Sequence, residues 1–491
     1  MPSLEPELSE RLGELTDLNH TGHLLAWDQQ VMMPPEGGQA RGEALATISR
    51  IAHERLVDPG LGTLLDVAAE AEPLIVRAVR RDHEVARRVP GELTAELSRA
   101  GSDGMAAWLA AREANDYALF EPALRRNIEL ARRYAACFPE AAHPYDPLLD
   151  RFEPGTTAAQ VSALFERLRA GLVPLLSQIA LRPARQEVFA GSFPVAAQRE
   201  IGLEIVQSMG FDSAGWRIDD AVHPFAASPS RNDVRVTSRF DDHSLTGLFA
   251  LMHEVGHGLY ESGIDPALER TTLCGGASLG VHESQSRLWE NLVGRSPQFW
   301  SHWLPRMRDR FPLTLRDVDL DTFIRAINVV RPTLIRVEAD EVTYSLHVIL
   351  RFELELALVE GTLDTADLPA AWAAKTKQLL GIEVPDDLRG VLQDIHWSEG
   401  IIGYFPTYAI GNVLAAQLWR VAREEMPDLD GELQRGELGA LREWLREKVH
   451  RHGRLLTPPE LIDQAVGGPL DPKPMLEHLT KKYGELYELP G

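Results

Sequence analysis

Residues 251 to 263 read LMHEVGHGLYESG, which puts His253 and His257 four positions apart with Glu254 beside the first. On a helix that spacing brings both imidazoles to one face, where they can share a metal ion while the glutamate stays free to act as a base. Leu245, Leu248, Phe249, Met252, Val255 and Leu259 recur at helical spacing, so 244 to 261 is predicted to be a buried amphipathic helix. Two imidazoles do not complete a site. The stretch 258 to 268 contains no histidine, which excludes the HExxHxxGxxH pattern and leaves a carboxylate as third ligand. Glu261, Glu269, Glu283 and Glu290 are the candidates. Glu261 would stack in line with the histidines on their own helix and could not wrap a tetrahedral ion easily, and Glu269 falls in a loop after Pro266. GVHESQSRLWENLVG, 280 to 294, reads as a second helix anchored by Leu288, Trp289, Leu292 and Val293, able to aim Glu283 at the first. Glu283 is therefore the expected ligand and Glu290 the fallback, with a supporting or structural role as its main expectation.

Two histidines and a glutamate leave a coordination position open, whereas a structural zinc is usually closed by four protein ligands, typically including cysteines. An ion so held lowers the pKa of a bound water and polarises a carbonyl, while Glu254 takes the proton and delivers it to the leaving nitrogen. The implied chemistry is hydrolysis of a peptide or amide.

The rest of the chain must position these groups. Its 491 residues, 44% hydrophobic and 25% charged, suit a soluble globular protein with a large core. A formal charge of -23 argues against general affinity for nucleic acid or anionic membrane. The acidic start MPSLEPELSERLGEL lacks a signal peptide's basic and apolar regions, no stretch has the apolar length of a spanning helix, and Cys137 and Cys274 are the only cysteines. A cytoplasmic location is expected.

Apolar residues three and four apart fill 123 to 138, 158 to 179 and 412 to 426, with Thr156 or Thr157 and Thr365 or Asp367 as helix caps. Only RNDVRVTSRFDD, 231 to 242, alternates like a strand, and a hairpin or edge strand is expected there, before the HEVGH helix. No repeat or long linker divides the chain. The expectation is a single all-α catalytic domain over 1 to 491, with two lobes across a groove as a variant.

HEVGH followed by HESQ, HPF at 223 to 225, DVRVT at 233 to 237 and GVLQDIHW at 390 to 397 together resemble the Taq-type metallocarboxypeptidases, peptidase family M32. AWDQQVMMPPEGGQARGE (26 to 43), YDPLLDRFEPG (145 to 155), IRVEADEVTYSLHVILRFELE (335 to 355) and GYFPTYAIGN (403 to 412) extend the likeness over nearly the whole chain. The resemblance implies a two-lobed helical ellipsoid with a deep groove, similar to angiotensin-converting enzyme and neurolysin, and a homodimer. It also implies zinc or cobalt as the metal, and release of C-terminal residues with broad specificity, poor at proline.

Such an enzyme must bind a free carboxylate, which a guanidinium fork matches best. Arg235, inside DVRVT, is the first candidate. Asp340, Tyr344, His347 and Arg351 would form a polar stripe on a helix over 334 to 351, read as a groove wall with Arg351 as second candidate, while Arg331 and Arg336 are left structural or solvated. Tyr404, Tyr408 and His396 can donate to a growing oxyanion. By analogy with related groove peptidases Tyr404 is the leading donor and His396 a binder of substrate backbone. His223 would line the groove or support a metal ligand, and Asp394 would orient His396 or a ligand histidine. Two other readings remain: an oligo-endopeptidase, which would cut C-terminal amides equally well, and a non-catalytic binding protein, which would have lost Glu254 or a ligand.

Overall fold

In the computed structural model, which describes residues 5–183, 189 and 191–490, the apolar three-and-four spacing resolves into helices. Residues 1–4 of the acidic opening stretch lie outside the described residues. Thr157 begins the helix Ala158–Ala180: its hydroxyl accepts from the Gln160 backbone N–H, and its own N–H donates to the Gln160 side chain at 2.9 Å. The other two periodic segments fall in the helices Glu121–Ala135 and Pro406–Glu425. Asp367 precedes the helix Leu368–Leu380. The all-α expectation holds, and no described helix is long and apolar enough to cross a membrane.

The described strands are three, β1 (Trp216–Asp220), β2 (Ala226–Ser230) and β3 (Asp233–Ser238), in the order β1-β3-β2. Of the hairpin or edge strand expected within 231 to 242, only β3 falls there, and it is the central strand: β2, before that stretch, pairs with it antiparallel, and β1, not anticipated, pairs with it in parallel. Val234 and Val236 of β3 are fully buried, as their alternation predicts. β2, an edge strand, tolerates Pro229 because it falls in the register break between Ala227 and Ser230, where no residue pairs with β3.

One correction concerns 334 to 351. The chain makes a tight turn at Arg336–Glu338, and the helix runs over Tyr344–Glu360. Asp340 sets that start: its carboxylate accepts from the N–H groups of Val342 and Thr343, the Thr343 hydroxyl and the Arg331 N–H, at 2.9 to 3.0 Å. Local side-chain bonding here outcompetes the apolar period.

The chain divides into two compact units, one of residues 1–87, 187–327 and 418–469, the other of 88–186, 328–417 and 470–491. The first holds the sheet and the HEVGH helix, and part of its core is Leu8, Leu12, Leu61, Leu65, Val79 and Ile264. The second packs Leu168, Leu346, Ile349, Trp372, Leu392 and Val413 and carries the GVLQDIHW segment.

Candidate metal centre

His253, Glu254 and His257 sit on the helix Thr246–Gly263, whose Leu248, Met252, Val255 and Leu259 are buried. The neighbouring helix Leu279–Arg287 starts at Ser278, whose hydroxyl accepts from the Val281 N–H at 3.1 Å, and it carries Glu283 inward. Gly256 permits their approach. A methyl group there would lie 2.7 Å from Ser286 Cα and 2.9 Å from the Gln285 carbonyl oxygen.

His253 Nε2 lies 3.6 Å and His257 Nε2 3.5 Å from Glu283 Oε2. Among the described residues these three offer ligand atoms within 4.8 Å of one another. Neighbouring side chains hold all three in place. Arg287 Nε donates to Glu283 Oε1 at 2.7 Å and Ser286 Oγ to Glu283 Oε2 at 3.1 Å. His253 Nδ1 lies 2.8 Å from Glu290 Oε2, and His257 Nδ1 lies 2.6 Å from His282 Nδ1. Glu290 reaches His253 from a π-helical turn, Leu288–Val293, that continues the Glu283 helix. The donor set thus fits a divalent ion: two ring nitrogens and one carboxylate oxygen converge, and each ring's other nitrogen is engaged.

Burial drives His257 well below the ordinary imidazole range, helped by His282, His253 and Arg287, which favours the neutral ring a metal needs. At His253 burial acts in the same direction, but Glu283 and Glu290 outweigh it. Burial also opposes the charge of Glu290, yet Arg287 and His253 bring its carboxyl down to about 2, so it accepts as an anion. Glu254 is 7% exposed. Burial first, then Glu283 and Glu290, pushes its carboxyl up to about 7 against the pull of His253, a value suited to exchanging a proton near neutrality.

Arg235 is 16% exposed on β3; Asp233 binds it bidentately at 2.8 and 2.9 Å, and it lies 4.3 Å over the Trp27 ring. His223 is exposed on the loop between β1 and β2 and supports neither ligand imidazole.

In the second unit, Gly403 precedes Tyr404 at φ +94°, where a methyl would meet the Leu148 backbone at 2.6 Å. Tyr404 packs its ring 5.2 Å from both Phe152 and His396 and 5.3 Å from Tyr408. His396 Nε2 meets the Tyr408 hydroxyl at 3.2 Å, while His396 Nδ1 is buried without a hydrogen-bond partner. Burial pulls His396 down to about 4, so it is neutral at pH 7. Arg351 departs from the groove-wall expectation. It is 0% exposed, and its guanidinium donates to Asp394, Gln393 and the His347 carbonyl at 2.6, 2.6 and 2.8 Å. Asp394 likewise does not orient His396; it joins Arg351 to Arg336, and the two guanidiniums overcome burial to hold it well below the usual carboxylate range. The buried carboxylate offsets one of the two guanidinium charges, and neutral acceptors, the Tyr344 hydroxyl, the Gln393 side chain and the His347 carbonyl, take further N–H groups.

Residue reading missed His282, Arg287 and Gly256. Arg287 had a signal, an arginine four places after Glu283 on one helix face.

A helix-borne HExxH with a glutamate from the next helix is the site of a metallopeptidase. The chain matches the family model described as carboxypeptidase Taq (M32) metallopeptidase over residues 7–483. It is 40% identical to thermostable carboxypeptidase 1 of Thermus thermophilus, covering 96% of this chain and 97% of that one. It is 37% identical to carboxypeptidase 1 of Bacillus subtilis, covering 99% of each. Its structure superposes on that of the M32 carboxypeptidase of Deinococcus radiodurans R1 with a TM-score of 0.96, 41% identity and 99% of each chain covered. The chain belongs to the M32 family of metallocarboxypeptidases, hydrolases of peptide bonds that depend on a divalent metal.

Proposed function

We propose that the protein releases C-terminal amino acids from peptides with broad specificity, poorly at proline, using a divalent ion held by His253, His257 and Glu283. The observation that carries the reading is the convergence of the two Nε2 atoms on Glu283 Oε2, at 3.6 and 3.5 Å. Zinc is the proposed ion and cobalt the alternative, since nitrogen and carboxylate donors suit both. Such an ion, when bound, supplies a Lewis acid that polarises the scissile carbonyl and acidifies water. Glu254 accepts the proton of the attacking water and gives it to the amide nitrogen as the bond breaks. Tyr404 donates its hydroxyl proton toward the carbonyl oxygen where charge grows, and His396, steadied by Tyr408, binds substrate backbone. Arg235 takes the terminal carboxylate on the edge of its fork that Asp233 leaves, and His223 lines the approach. Arg351 acts by holding Asp394 and Gln393 of the GVLQDIHW segment rather than by meeting substrate. The acidic composition and two cysteines support a cytoplasmic enzyme, and the family resemblance a homodimer.

The test compares an N-blocked peptide with its C-terminal amide, using wild type, metal-stripped protein and Glu254→Gln. Rapid cleavage of the free acid alone, lost in both controls, is the expected result. Equal cleavage of the amide would make the protein an endopeptidase, and no metal-dependent cleavage of either would overturn the reading.

A further inference from the structure

His253 and His257 are supported differently. Behind His253 stands a carboxylate, Glu290. Behind His257 stands a second imidazole, His282, whose Nε2 in turn lies 2.7 Å from Glu261 Oε1. We propose that His282, anchored by Glu261, is a positioning residue that fixes the ring of His257 and thereby sets the affinity of the site for its metal.

The inference rests on the metal-site reading above and follows from counting protons. A neutral imidazole that offers Nε2 to a metal carries its hydrogen on Nδ1. His257 Nδ1 is therefore the donor across the 2.6 Å contact, and His282 Nδ1 must accept. The hydrogen of His282 then resides on Nε2, which donates to the Glu261 carboxylate. Only one neutral arrangement of the two rings satisfies both contacts and leaves His257 Nε2 bare.

The geometry makes the arrangement rigid. Glu261 lies one turn beyond His257 on the same helix, and the imidazole of His282, from the neighbouring helix, links its carboxylate to His257 Nδ1. The His282 ring packs 5.1 Å from the ring of Tyr260, and Gly276 faces its Cδ2, where a methyl would approach to 2.7 Å. The Tyr260 hydroxyl is itself held, accepting from the Ala277 N–H at 3.0 Å. His282 and Glu283 are adjacent, so one dipeptide supplies a ligand and braces the opposite ligand. Glu261, weighed above as a ligand, has this second role instead.

The experiment measures the zinc dissociation constant by competition with a chromophoric chelator, and the visible absorption of the cobalt-substituted protein, for wild type and four variants. His282→Phe keeps a ring but no acceptor, and is expected to weaken zinc binding about 10- to 100-fold and to alter the cobalt spectrum. His282→Asn places an amide oxygen near the former Nδ1 and restores most of the affinity. Glu261→Gln, whose amide oxygen still accepts, stays close to wild type, and Glu261→Leu falls toward His282→Phe. Wild-type affinity and spectrum in His282→Phe would overturn the proposal, as would equal losses in His282→Phe and His282→Asn. Should His282→Phe not fold, as judged by circular dichroism, the Glu261 pair decides: equal affinities for the Gln and Leu variants overturn it. A wild-type protein that binds neither ion would sink the metal reading itself, which separates the two failures.

Discussion

In the proposed mechanism the chemistry turns on Glu254, and its surroundings say how it should titrate. A base must be an anion, and burial raises this carboxyl from 4.5 to about 7; a bound divalent cation would pull it back down. The acid limb of kcat/KM is expected to have its midpoint between those values, with activity lost as pH falls through it. Glu254→Gln removes the limb and lowers kcat/KM by about 10²- to 10⁴-fold, the usual contribution of a positioned base, while zinc stoichiometry measured on the purified variant stays at the wild-type level. Bound zinc falling with activity would instead make Glu254 a ligand. His253, Glu254 and His257 were legible from spacing alone because one helical turn fixes their geometry. Arg351 was not: an arginine on a helix face reads the same whether its fork meets solvent or a buried Asp394, and the partner is 43 positions away.

Among the elements, the contact between the helices Thr246–Gly263 and Leu279–Arg287 decides whether Glu283 reaches the histidines. Gly256→Ala would put a methyl 2.7 Å from backbone, where no side chain can yield, and push the helices apart. Thermal unfolding should register a loss of about 1 to 3 kcal/mol, typical of overpacking, and chelator competition a zinc affinity weakened about tenfold or more. An unchanged zinc constant would show that the helices do not set the site.

Glu355 has the matching role in the second unit. Its buried carboxylate accepts from the Tyr145 hydroxyl at 2.6 Å, the Trp397 indole at 2.7 Å and the Gly403 N–H at 3.2 Å, tying together three of the segments that carry the family resemblance. Burial raises this carboxyl from 4.5 to about 7. Between those values the folded chain holds a proton that the unfolded chain has lost, so this group's effect on stability worsens as pH rises through the interval and is constant above it. Glu355→Gln abolishes that slope, and relative to wild type the variant should gain stability from pH 5 to pH 8 in unfolding experiments. A difference independent of pH would show that Glu355 folds in its ionised form.

Over the whole molecule, the net charge of -23 sets which peptides arrive easily. Long-range repulsion slows acidic substrates and is screened beyond about 8 to 10 Å at physiological salt. For a peptide rich in glutamate, kcat/KM should rise by a factor on the order of three between roughly 10 and 200 mM salt, and for a neutral peptide stay flat. Equal salt responses would mean that local charges at the site outweigh the global field.

The all-α architecture, the cap at Thr157 and the HEVGH pair were determined by the sequence, since each depends on residues within a turn or two of one another. The choice of Glu283 also followed, from the period of its helix. What only the tertiary structure decided are the contacts between distant segments: β1 pairing with β3, Glu290 and His282 behind the two ligand imidazoles, and Asp394 between Arg336 and Arg351. Spacing along a chain fixes which side chains share a face, whereas the partner across the gap depends on packing that brings remote backbones together.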